Sequence, residues 1–334
     1  MIALVSTLTS PMVRKLGLVA SLLILLGSFG GGSLQKRNSL LSAANLDFLS
    51  FGHGAAFSNV TLWLGTVLFV VAWVLMGKLI IDKVVDADYV RRTLCMWLVP
   101  LVGAAPIMSR DVYSYLMQGT LLRDGLNAYT QGPASNPNQI LFEVSHDWRN
   151  TTTPYGPLHL WLGEAVTTVF GDNVTAGVYA FKALAVVGFV AIMWFVPKIA
   201  QRLGADPAFA LWLGVANPVM VFHLVGGMHN EAIMVGLVTV GLYLVVRQAT
   251  YPAGLGGFFA GVALIAVAMA LKASAALCLP FVVWLVVNRA GESVGARVRA
   301  FLLAGVGGAV ETVAILAVIT WASGTTWGWV SCVC

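Results

Sequence analysis

The residues of this chain with the most to offer chemically are few and far apart. Asp111 follows Ser109-Arg110 where an apolar run ends, and it opens a stretch that reads as a helix up to Gly125. Ser109 is a good N-cap, the helix dipole favours a first-turn carboxylate, and Gly125 is a natural stop. Val112, Tyr115, Leu116, Gly119 and Leu122 recur at helical spacing, which predicts a short amphipathic helix lying on a membrane surface with an acid at its start. An ionisable group held at headgroup depth is costly, and such groups tend to be functional. The competing reading pairs Asp111 with Arg110 or Arg123 as an ordinary first-turn residue. Downstream, Arg149 lies among two histidines, two tyrosines and two tryptophans between residues 129 and 161, including Tyr155. Aromatic rings stack on sugars and a guanidinium fork grips phosphate, so this loop has the makings of a sugar or phosphate site. Taken singly, each aromatic also fits an interfacial belt.

Two further clusters sit in apolar surroundings. His229-Asn230-Glu231 follows Gly226-Gly227, a turn that lets backbone come close to a ligand. His223, His229 and Glu231 could supply three metal ligands, but their spacing matches no standard signature, so no metal and no other cofactor is expected. The bland alternative is a polar turn in water. Lys272 is the lone cation of GVALIAVAMALKASAALCLP. Such a lysine snorkels to headgroups or faces an anionic ligand, and a lipid phosphate would satisfy both. Lys182 is expected to snorkel.

The elements that must hold these residues follow from composition. With 59% hydrophobic and 10% charged residues, the chain has far less charge than the roughly 25% that clothes a soluble domain. This excludes nucleic-acid-binding, coiled-coil and disordered classes. A spanning helix needs about 20 mostly apolar residues, and nine stretches qualify: 12–30, 60–81, 93–108, 174–197, 207–223, 231–247, 254–271, 275–288 and 300–322. The first, preceded by Arg14-Lys15, could instead be a cleaved signal peptide, but no small-x-small site follows it. The formal charge of +5 is mostly orientation signal. Placing the N-terminus in the cytoplasm puts Arg14, Lys15, Lys78, Lys83, Arg91, Arg92, Lys198, Arg202, Arg247, Arg289, Arg297 and Arg299 all inside. Counting Pro157–Phe170 as a span would break that agreement, so it reads as an interfacial or re-entrant helix on the outer face. The expected fold is an all-α polytopic membrane protein of about nine transmembrane helices, in a plasma membrane, with 31–59 and 109–173 outside. Cys95, Cys278, Cys332 and Cys334 suggest neither a metal site nor a disulfide framework.

These segments together resemble the membrane glycosyltransferases of the GT-C superfamily. The resemblance rests on Asp111-Val112-Tyr113-Ser114-Tyr115 opening a juxtamembrane helix that leads to Gly125-Leu126-Asn127-Ala128-Tyr129, on Tyr155-Gly156-Pro157-Leu158, and on Lys272 ahead of Pro280. More narrowly, Asn217-Pro218, Gly226-Gly227-Met228-His229-Asn230-Glu231 and Trp327-Gly328-Trp329 are similar to the actinobacterial α-(1→6)-mannopyranosyltransferases of lipomannan and lipoarabinomannan synthesis. The resemblance implies inverting transfer of mannose from a polyprenyl-phosphate donor to a mannan glycolipid acceptor on the outer face. Asp111 would be the catalytic base, Lys272 and Arg149 would bind the donor phosphate, and Tyr115, Tyr155, His229, Asn230 and Glu231 would hold sugar. Partners would be the lipid donor, the glycolipid acceptor and membrane lipids, with no nucleic acid. Members of that family run longer, so residues 1–322 are expected to form the catalytic membrane domain and 323–334 a truncated, outward-facing end, with later spans absent. The competing classes are a multi-span lipid or solute transporter and an inactive fragment of the transferase.

Overall fold

In the computed structural model, residues 9–37, 39–249 and 255–331 are described, and all regular structure among them is helical. The principal segments are α1 (Ser10–Gly31), α2 (Gly52–Ile81), α3 (Ala87–Gly103), α4 (Asp111–Arg123), α5 (Pro157–Phe170), α6 (Val174–Arg202), α7 (Pro207–Gly214), α8 (Pro218–Gly226), α9 (Glu231–Ala249), α10 (Gly256–Met269), α11 (Leu279–Asn288) and α12 (Val294–Ala322). Against the nine expected spans, length and hydropathy support five, namely α1, α2, α6, α9 and α12, or six if α7 and α8 count as one. The stretch 207–223 is not a straight span: α7 and α8 meet at 53°, because Pro218 follows Asn217, whose side chain caps α8 by accepting from Val219 N–H at 2.9 Å. The expected spans at 254–271 and 275–288 become α10 and a 3-10 turn at Ala273–Cys278 leading into α11. Residue 254 and the terminal Cys332-Val333-Cys334 lie outside the described residues.

The chain forms two compact units. The first holds α1, α2, α3, α7 and α8, up to Val112 and again from Gly204 to His229. Helix α1 packs on α2 through small residues, as membrane helices do where no hydrophobic drive joins them: a Cβ at Gly27 would sit 2.4 Å from the Leu62 nitrogen. Trp97 of α3 lies flat where Gly17 leaves room and donates to the Arg14 carbonyl at 3.0 Å. Trp73 and Trp212 stack at 5.0 Å, and each indole N–H donates to the other residue's carbonyl, at 3.1 and 2.9 Å.

The second unit holds α5, α6, α9–α12 and all of α4 beyond Val112. Helix α4 departs from the amphipathic surface helix expected of it, since Val112 through Leu121 are buried without a break. Its neighbours come close because the contact residues are small. Gly119 meets the Gly163 backbone of α5, and Gly177 of α6 accommodates Leu116. The 14 residues of α5 extend about 21 Å at 1.5 Å per residue, too short to cross a hydrocarbon core of about 30 Å upright. Lys182 of α6 is 1% exposed, so it faces the protein interior and does not snorkel along the lipid surface.

Candidate functional site

In the first unit the chain brings Asp111 to His229. Asp111 is the first residue of α4, its N–H donating to Ser109 Oγ at 3.1 Å. Its carboxylate Oδ2 lies 3.4 Å from His229 Nδ1, and the His229 ring stacks on His223 at 3.7 Å. What holds this pair is unusual backbone. Met108 (φ 60°) and Met228 (φ 55°) both adopt the left-handed conformation, which costs a non-glycine residue about 1–2 kcal/mol and persists where surrounding structure enforces it. Between them, Ile107 N–H donates to the Gly226 carbonyl at 3.1 Å. The preceding residues Val221–Gly226 form a π-helical turn that carries His223, a feature often found at functional sites. The Asp111 side chain keeps 31% of its surface exposed and His229 keeps 12%, so the carboxylate remains reachable by a ligand.

In the second unit the polar residues close around Lys272. Helix α10 ends at Met269 with Ala270 as its C-cap, and Lys272 stands in extended backbone (φ −153°) before the 3-10 turn begins. The broken helix leaves backbone carbonyls to be satisfied elsewhere, and the Tyr155–Leu158 turn satisfies two of them. Gly156 N–H donates to Leu271 O at 3.0 Å and Leu158 N–H to Ala270 O at 2.8 Å. A Cβ on Gly156 would lie 2.3 Å from the Ala270 oxygen, so only glycine permits this approach. The result sets the Lys272 ammonium 5.6 Å from the Tyr155 ring centroid and in a short ion pair with Glu231, the first residue of α9.

Around this ion pair stands an aromatic wall that the sequence reading did not assemble. His159 packs against Tyr155 at 4.4 Å and edge-on to Tyr115 at 4.7 Å. Asn230 Nδ2 lies 3.2 Å from His159 Nδ1; with the amide donating, the ring proton sits on Nε2. His159 is fully buried, and burial pushes its pKa down to about 3, so the imidazole is neutral. His159 Nε2 and Asn230 Oδ1 are buried without a hydrogen bond among the described residues. His159 was legible only as one of two histidines in an aromatic loop; its place on the first turn of α5, after Tyr155-Gly156-Pro157, was the signal. Arg149 braces the loop it belongs to, Nε donating to Val144 O at 3.2 Å and Nη2 to Phe142 O at 3.3 Å.

A broken helix bearing one cation, an aromatic wall and an acid opening a buried helix form the setting for comparison with known proteins. A family model described as "Alpha-(1->6)-mannopyranosyltransferase, N-terminal domain" matches residues 14–288. The chain belongs to this family. Among curated members of the α-(1→6)-mannopyranosyltransferase family, it is 52% identical to alpha-(1->6)-mannopyranosyltransferase A of Corynebacterium glutamicum, over 92% of this chain and 65% of that protein. It is 39% identical to the protein of the same name from Mycobacterium tuberculosis, over 95% of this chain and 60% of that one. Alpha-(1->6)-mannopyranosyltransferase B of C. glutamicum is 32% identical, over 96% and 56% respectively. The chain thus spans just under two thirds of the length of the first of these relatives and less of the other two. No solved structure matches it.

Proposed function

We propose that the chain carries out inverting mannosyl transfer from a polyprenyl-phosphate donor to a growing α-(1→6)-mannan, at the outer face of the plasma membrane. The observation that carries this reading is the Lys272–Glu231 pair at a helix break, walled by Tyr155, Tyr115 and His159. A cation at a broken membrane helix is suited to an anionic headgroup, and neighbouring aromatic faces suit a sugar ring.

The chemistry assigns one task to each group. The acceptor hydroxyl oxygen attacks the anomeric carbon, its proton passes to the Asp111 carboxylate, and the carbon–oxygen bond to phosphate breaks with its electron pair leaving on the phosphate. His229, beside Asp111, receives a hydrogen bond or shares the proton as the carboxylate becomes a carboxylic acid. The departing lipid phosphate gains negative charge, which Lys272 stabilises by exchanging part of its contact with Glu231 for the phosphate oxygens. Asn230 Oδ1 and the His159 Nε2–H supply a buried acceptor and donor for sugar hydroxyls. Arg149 is the second cation proposed for the donor phosphate. With the Glu231 carboxylate paired to Lys272, Asp111 acting as a single base fits inversion. Family membership supports the mannosyl donor, and the basic loops support the outward orientation.

Replacing Asp111 with asparagine keeps size and hydrogen bonding while removing the base. Asp111→Asn is expected to abolish transfer from polyprenyl-phosphomannose in membranes while the protein still inserts; a variant with wild-type turnover overturns the assignment.

A further inference from the structure

A cavity of about 340 Å³ lies in the second unit where the ends of two helices meet, with no residue of the Lys272 cluster in its lining. Its lining runs from Leu122 to Tyr129 after α4, takes Leu160 and Glu164 from α5, and closes with Ser323–Thr326 after α12. Its floor is a buried apolar cluster that includes Leu121, Tyr129, Leu160 and Trp329. Both helices end on a glycine in left-handed backbone, Gly125 (φ 79°) and Gly324 (φ 64°), and an added Cβ at either would meet only open space. These termini present the negative ends of helix dipoles, while capping bonds take up the last carbonyls: Leu126 N–H donates to Leu121 O at 2.8 Å, Gly125 N–H to Leu122 O at 3.0 Å and Gly324 N–H to Trp321 O at 3.1 Å. The polar side chains of the lining are Asn127, Glu164, Ser323, Thr325 and Thr326. This wall attracts hydrogen-bond donors and repels anions, since its one charged lining residue is a carboxylate. Beside it, the Trp327 ring is 47% exposed and stacks on the buried Trp329 at 6.2 Å. Trp329 Nε1 is buried without a hydrogen bond among the described residues.

We infer that this cavity is a binding subsite for a neutral hexopyranosyl residue of the acceptor glycan. Hydroxyl donors would bind the Glu164 carboxylate and the Thr325 and Thr326 hydroxyl oxygens, and the Trp327 face would cover the apolar side of the ring. The volume lies in the range of small-ligand pockets. The cavity shares no lining residue with the Lys272 cluster, so in a glycan that reached both it would hold a sugar other than the reacting one. The inference rests on the proposed transferase reading for the identity of the glycan, but the cavity's preference for a neutral polyol stands on its own lining.

Titration of the purified full chain in nanodiscs with α-(1→6)-linked mannotetraose and mannobiose tests it, alongside transfer to each acceptor. Glu164→Gln and Thr325→Val, at positions that are not fully buried, are each expected to weaken tetraose binding. For Glu164→Gln the loss is about tenfold, the effect of a hydrogen bond to a charged group. The ratio of kcat/KM for tetraose over biose is expected to fall by the same factor. Inorganic phosphate is expected not to compete. Wild-type tetraose affinity in both variants, or displacement of tetraose by phosphate, overturns the subsite. Tetraose binding that is lost in Glu164→Gln, in a chain that transfers no mannose, keeps the subsite and removes the transferase reading. Transfer with an unchanged acceptor ratio does the reverse.

Discussion

Lys272 is held by a carboxylate and an aromatic face, so removing its charge has an effect distinct from removing its bulk. Lys272→Met keeps the stem and loses the ammonium. If the ammonium stabilises the leaving phosphate chiefly in the transition state, kcat falls by about a hundredfold, the size seen when one electrostatic donor is removed from an active site, while the donor KM changes little. Lys272→Arg is expected to recover part of the loss, measured as transfer in isolated membranes. His159 makes a pH prediction. Its folded pKa of about 3 lies below the ordinary 6.5, so the unfolded chain takes up a proton that the folded one refuses. The neutral ring's contribution to stability is therefore complete above about pH 6.5 and is lost as pH falls toward 3. Thermal melting between pH 7 and 4 is expected to show a declining midpoint, and His159→Gln is expected to flatten that decline.

Among the elements, the 156–158 turn matters most, because two backbone hydrogen bonds and the absence of a side chain hold Tyr155 beside Lys272. Gly156→Ala must push the turn off the Ala270 carbonyl. The expected cost is about 1–3 kcal/mol, typical of overpacking, read as a lowered melting temperature together with lost activity. The helices themselves were largely legible, since hydropathy gave the cores of α1, α2, α6, α9 and α12 within a few residues at most ends. Asp111 as the opening of a helix was equally plain, from Ser109 and the first-turn acid. Burial of α4 was not, because the apolar stripe that meets Gly163 and Gly177 through Gly119 and Leu116 says nothing of Tyr113, Ser114, Met117 and Gln118 on its other faces, which are buried too. The α7–α8 bend had a signal in Asn217-Pro218, but the π turn at 221–226 had none, for its hydrogen-bond shift leaves no residue pattern. The Glu231–Lys272 pair joins residues 41 apart through a helix break, and the aromatic wall joins three separate segments. No local periodicity reports contacts of that range.

Across the whole molecule, charge asymmetry fixes an expectation about sidedness. Cysteine substituted at Lys83, in a chain whose native cysteines are replaced, is expected to react with a membrane-impermeant maleimide only in inverted vesicles. The same substitution at Asn138 is expected to react in right-side-out vesicles. The opposite pattern would reverse the orientation on which the outer-face reading depends.

The Trp73–Trp212 clamp bears on how the protein is made. Its two halves are separated by 139 residues, and most of the intervening segment 113–203 belongs to the other unit. The first three helices therefore leave the ribosome long before their partners at 204–229 exist. Until then the Trp73 N–H must find a temporary acceptor in the bilayer or the insertion machinery, because an unsatisfied donor in hydrocarbon costs several kcal/mol. The first unit to begin synthesis can thus close only after residues 113–203 of the other unit have been made, and a translational pause after residue 112 would prolong its stay as an open intermediate.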